Sequence, residues 1–117
     1  MKIVIEAVTI KELKDMAAGM FGNFVKAVVD VEKEIIAIDA ELHADEEAIL
    51  LKNGSKKENL WGIDIYPDLP KGDGIEFDSM VNLRPSRENR TRNIDDPKIR
   101  SKIIEIVNKL VEDENLS

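Results

Sequence analysis

The chain has 117 residues, 43% apolar and 35% charged, with 24 acidic residues against 17 basic ones and a formal net charge of -7. That length and apolar share suit one domain, residues 1–117, whose core needs no metal or disulfide staple. The lack of cysteine excludes a disulfide framework, thiol chemistry and Cys-ligated zinc, and it fits a reducing, cytoplasmic setting.

Residues 1–6 lack a signal-peptide pattern, and no run nears the roughly 18 apolar residues of a membrane span. Residues 2–8 read as a strand. Thr9 and Glu12 then have capping-box spacing for a helix with apolar positions at Ile10, Leu13, Ala17 and Met20, ended by Gly22. Residues 24–31 and 34–43 are rich in Val and Ile and predict a hairpin turning at Glu32-Lys33. Residues 45–52 suit either a helix capped by Asp45 or a buried strand.

A single turn at Ser55–Glu58 is expected next, then a strand over 62–66 and a turn-rich loop over 67–74. Residues 75–84 show the clearest alternation, with Ile75, Phe77, Val81 and Leu83 on one face. Pro85 closes that strand, residues 85–93 read as a loop, and an Asp followed by Pro97 opens an amphipathic helix to Glu112. Residues 113–117 are expected to fray. Together these elements predict an α+β fold of two layers, an antiparallel sheet of about five strands with two long helices on one face. The other face is then open, and counting by twos puts Lys26, Asp30, Asp39, Glu41, His43, Asp64, Tyr66, Glu76, Asp78, Asn82 and Arg84 on it.

Against this acidic background stands one basic segment. Arg84, Arg87, Arg90 and Arg92 fall within nine residues, while outside that stretch 13 basic residues face 23 acidic ones, a balance of -10. Arginine's rigid fork of donors matches carboxylates and phosphates, so the segment predicts an anion-binding loop, with RNA or an acidic protein segment as partner. Four arginines make too small a footprint for duplex DNA, and Trp61 and Tyr66 are the aromatic platforms left for a single strand. The competing structural reading pins the loop to the chain's own carboxylates.

A second candidate is Glu41, His43 and Asp45, which a strand through them would aim one way. With Asp78, or Asp64, joining from a neighbouring strand they would hold a divalent cation such as Mg²⁺, Mn²⁺ or Zn²⁺ and serve a metal-dependent hydrolase, Arg84 stabilising developing charge. No HExxH, calcium-loop or zinc spacing is present. A third reading is a homodimer or larger homo-oligomer formed through the open face, anchored by Met80, Trp61 and Tyr66. No organic cofactor is indicated, and Ser79, interrupting an apolar strand face, needs a hydrogen-bond partner if buried. Whether the arginine loop and the His43 cluster share a cleft is a question spacing leaves open.

The strings Glu41-Leu42-His43-Ala44-Asp45, Leu60-Trp61-Gly62, Glu76-Phe77-Asp78-Ser79 and Asn82-Leu83-Arg84-Pro85-Ser86 with Asn89-Arg90 resemble an uncharacterised prokaryotic family, the domain-of-unknown-function family numbered 5674. The resemblance spans about residues 11–111. It implies a small stand-alone protein and carries no activity, ligand or catalytic residue with it.

Overall fold

The computed structural model describes residues 1–70 and 73–112, and for Arg87 its backbone alone. The Lys71-Gly72 part of the expected turn and the tail from 113 lie outside the described residues. The elements run β1 (Lys2–Val4), β2 (Val8–Thr9), α1 (Ile10–Gly19), β3 (Val25–Asp30), β4 (Ile35–Ile38), α2 (His43–Lys52), β5 (Leu60–Ile65), β6 (Ile75–Glu76), α3 (Pro97–Leu110) and β7 (Val111–Glu112). Short 3-10 turns occupy Lys57–Asn59, Met80–Asn82 and Pro85–Arg87.

The fold is α+β, built on a five-stranded antiparallel sheet in the order β1-β4-β3-β5-β6. Local chemistry sets its helices. Thr9 accepts from the Glu12 amide while Glu12 accepts from the Thr9 amide, the expected capping box. Asp96 caps α3 through the Lys98 amide, with Pro97 in the first turn. The single strand expected over residues 2–8 is instead two, because β2 leaves the sheet to pair in parallel with β7.

Alternation along the strands builds two unlike faces. Ala27, Val29, Ile36, Ile38, Trp61, Ile63 and Ile65 point to one side and pack with Leu13 and Ala17 of α1 and Ile103, Ile106, Val107 and Leu110 of α3. The residues between them, Val28, Ala37 and Leu60, point the other way and pack under Leu50 of α2. The ambiguous segment is thus a helix, and it covers part of the face expected to be open. The cause is Val28 and Ala37, apolar residues at positions that an open face would leave wet.

Two strand expectations end early. β4 stops at Ile38 and Asp39 turns the chain at φ 69°, so His43 opens α2 rather than closing a strand. β6 stops at Glu76, although the sequence alternates to Arg84. The reason lies across the sheet at Gly62, where a Cβ would come within 2.6 Å of the Ser79 side chain, so the chain after β6 crosses over the glycine instead of running beside it. Asn82 then takes the place of a paired strand: its Oδ1 accepts from the Gly62 amide at 2.8 Å and its Nδ2 donates to the Gly62 carbonyl at 2.9 Å. Ser79, fully buried, finds its partner locally by accepting from the Val81 amide.

Candidate functional site: the polar end of the second sheet face

The arginine segment is folded against the protein by its asparagines. Asn89 Nδ2 faces the carbonyls of Asn82 (2.6 Å), Asn93 (2.7 Å) and Thr91 (3.2 Å), and its Oδ1 accepts from the Asp95 amide. Arg84 and Asn89 bond backbone to backbone around the Pro85–Arg87 turn, with Glu88 left-handed at φ 63°.

Arg84 is buried, its guanidinium 4.4 Å over the Trp61 ring and donating to the carbonyls of Glu58 and Leu60. Trp61 is only 4% exposed, so it belongs to the core and is no platform for a base. Arg92 Nε donates to Asp78 Oδ1 at 2.6 Å. Arg90 is exposed, and the Arg87 side chain lies outside the described part. Two of the four arginines are therefore engaged within the chain, one by backbone carbonyls and one by a carboxylate.

The second candidate is also rearranged. Glu41 is exposed in the connection before α2, and Asp45 is exposed in its first turn. The strand that would align them with His43 is absent. His43 is 8% exposed, with Nε2 2.7 Å from the Ile63 carbonyl and 3.4 Å from Asp64 Oδ1. A carbonyl only accepts, so Nε2 carries a proton and donates. Arg84 and His43 do not come together; Arg92 is the arginine that shares a groove with His43.

What the sheet does assemble is Asp64, Glu76 and Asp78. A carboxylate oxygen from each lies within 4.8 Å of the others. The register explains it: Asp64 of β5 pairs directly with Glu76 of β6, so both point to the second face, and Asp78 follows two residues on. Asp64 is 6% exposed and its Oδ1 has no hydrogen-bond partner among the described residues. Desolvation, followed by a hydrogen bond with Asp64 and that group's charge, pushes the Glu76 carboxyl above its ordinary value. Tyr66 Oη lies 3.5 Å from Glu76 Oε1, and its pKa is also raised, by desolvation first and the Glu76 charge second.

Beneath the start of α2 sits another acid. Glu46 is fully buried, and burial pushes its carboxyl up to about 9; the Ala40 backbone and the Lys26 charge pull the other way without offsetting it. Neither oxygen has a partner at full hydrogen-bonding geometry. A leucine would fit the same stripe between His43 and Leu50, so the polar residue costs stability where it stands.

Residues 2–110 match the family described as a protein of unknown function (DUF5674). The chain belongs to that family. No curated protein and no solved structure matches it. The strings that carry the resemblance now have physical roles. In this DUF5674 member, Asn82, Arg84 and Asn89 fasten the loop, Trp61-Gly62 supplies the ring and the bare backbone they grip, and Glu76-Phe77-Asp78 brings two of the three clustered carboxylates. Among the described residues no helix is long and apolar enough to cross a membrane.

The asparagine clasp is absent from the sequence-derived candidates. Its one signal is Gly62 inside an apolar strand, which marks a close backbone approach. Alternation assigns Asp64, Tyr66, Glu76 and Asp78 to a single face, but taking Asp78 or Asp64 as alternatives to join Glu41, His43 and Asp45 leaves Glu76 out and does not bring the three together.

Proposed function

We propose that this protein binds a divalent cation among Asp64, Glu76 and Asp78, in a centre suited to metal-assisted hydrolysis. The observation that carries the reading is the gathering of three carboxylates, one oxygen of each within 4.8 Å of the others, around the buried Asp64, whose Oδ1 makes no hydrogen bond among the described residues and has only the His43 imidazole, 3.4 Å away, beside it. Three ionised carboxylates beside one guanidinium, that of Arg92, leave two negative charges, which a divalent ion balances. All-oxygen ligation favours the hard cations Mg²⁺, Mn²⁺ and Ca²⁺ over zinc. A bound ion would lower the pKa of a coordinated water and make it a nucleophile near neutral pH. His43, donating to the Ile63 carbonyl beside Asp64, acts in this reading as a positioning residue rather than a ligand. The cation set thus keeps Asp78 from the sequence-derived group and replaces Glu41, His43 and Asp45.

The arginine-loop reading, with RNA or an acidic protein as partner, has less support, because Arg84 and Arg92 already hold internal partners. Mn²⁺ titration followed by water-proton relaxation tests the cation site. Saturable binding that Asp64→Asn and Asp78→Asn each weaken about tenfold or more is the expected result. Absence of saturable binding, or binding indifferent to both substitutions, sinks the proposal.

A further inference from the structure

A groove of about 390 Å³ opens between the arginine segment and the start of α3. Three carboxylates line it, those of Glu88, Asp95 and Asp96, and no cationic side chain does. None of the three belongs to an ion pair among the described residues. The fold fixes two of them in place: Asn89 Oδ1 accepts from the Asp95 amide, Thr91 donates to the Asp95 carboxylate, and Asp96 caps α3 through the Lys98 amide. Pro97 and Ile99 supply an apolar wall, and the remaining wall is Trp61, only 4% exposed. Arg84 covers one face of that ring and the core packs around it. A buried indole N–H usually finds a partner. The Trp61 Nε1–H donates to no group among the described residues, yet it is not sealed from solvent. The groove is the cavity that Trp61 lines, so a buried side chain offers it an unused donor.

We infer that this groove binds a small organic cation, a protonated amine that also carries a hydroxyl or carbonyl oxygen. Three carboxylates accept the hydrogens of an ammonium in charge-assisted bonds. Among the described residues only Asp64, Glu76 and Asp78 gather tightly enough to hold one metal ion, so the wider set here suits a cation with a carbon frame. Pro97 and Ile99 give that frame an apolar surface, and the volume is at the small end for ligand pockets. The oxygen is required by Trp61, because an indole N–H can only donate. The positive end of α3 opposes a cation, and Asp96 offsets it by capping the first turn. This site is independent of the cation centre proposed above: Trp61 points to the α1 and α3 side of the sheet, and Asp64 to the other.

The test uses the intact ¹⁵N-labelled protein at low salt, with aminocyclohexanol as the probe and cyclohexylamine and cyclohexanol as comparisons. The chain has a single tryptophan, so its one indole N–H signal reports directly on the groove. The expected result is a saturable shift of that signal together with the amides of residues 88, 89 and 95–99. Aminocyclohexanol should bind about fivefold more tightly than cyclohexylamine, for the hydrogen bond to the indole, and at least about tenfold more tightly than cyclohexanol, for the charge. Glu88→Gln and Asp95→Asn should each weaken it about threefold or more. In Trp61→Phe, followed through the same amides, the advantage of aminocyclohexanol over cyclohexylamine should vanish.

An indole signal that stays still at high probe excess overturns the inference. So does binding that Glu88→Gln and Asp95→Asn both leave unchanged, since the carboxylates would then play no part. Equal binding of aminocyclohexanol and cyclohexylamine to the wild-type protein also overturns it, because the Trp61 donor would be idle. The surface substitutions Glu88→Gln and Asp95→Asn keep the test decisive if Trp61→Phe fails to fold.

Discussion

The two faces of the central sheet are made by the same strands yet are organised differently. The face under α1 and α3 is apolar from β1 to β5, and its residues are held by many dispersion contacts that are each small. The opposite face changes character along its length. Under α2 it is apolar at Val28, Ala37 and Leu60; toward β6 it becomes polar, with Asp64, Glu76 and Asp78 together and Asn82 clasping Gly62. The difference teaches that one face secures the fold through burial, while the other does so through a few directed hydrogen bonds and leaves carboxylates underused. A site is more readily built on the second kind of surface.

The comparison breaks most sharply where each face is held. Ile63→Ala on the apolar face should cost about 2–5 kcal/mol in urea unfolding. Asn82→Ala on the polar face strands both backbone groups of Gly62 and should cost about 3 kcal/mol. If Asn82→Ala costs under about 1 kcal/mol, directed bonds do not hold that face. Gly62→Ala drives a methyl to within contact distance of Ser79 and should cost about 1–3 kcal/mol, with the amide signals of residues 79–82 displaced.

A subtler contrast lies within α2, where Leu50 and Glu46 face the same sheet. Glu46→Leu should stabilise the protein at pH 7 by about 1–3 kcal/mol, measured by denaturant midpoint, because it replaces a poorly satisfied buried carboxyl with an apolar side chain. The pH dependence follows with a definite sign. The folded state keeps Glu46 protonated up to about 9, whereas the unfolded chain releases that proton near its ordinary value of 4.5. This group's contribution is therefore undiminished below 4.5, and it erodes stability as pH rises toward 9, by at most about 1.4 kcal/mol per pH unit. Subtracting the profile of Glu46→Gln from that of the wild type isolates this slope; parallel profiles would place the carboxyl outside the buried stripe.

The smallest effect is expected at the rim. Arg92→Gln removes a half-exposed ion pair with Asp78 and should change stability by no more than about 1 kcal/mol, less in high salt.

Much of the fold is legible because its signals are local. The Thr9–Glu12 box, the Asp96-Pro97 start and the stripe of α3 depend on residues within a turn or two of one another. Alternation likewise puts Asp64, Tyr66, Glu76 and Asp78 on one face. The arginine segment misleads for the opposite reason. Four cations in one stretch signal anion contact, but the partners of Arg84 are the carbonyls of Glu58 and Leu60, some two dozen positions away, and the partner of Arg92 is Asp78. The residues 75–84 also alternate faithfully, yet whether they pair as a strand is decided at Gly62.

By itself, then, the sequence determined the class of the fold, the starts of α1 and α3 and the face to which the residues of β3, β5 and β6 belong, since these follow from backbone geometry and periods of two and 3.6. Only the tertiary structure decided which acids converge, that α2 covers part of the second face, and that Asn82 replaces a strand. Those outcomes depend on which distant segments meet, and no local period encodes the pairing of Asp64 with Glu76 or the bare backbone at Gly62 that lets the chain cross over it.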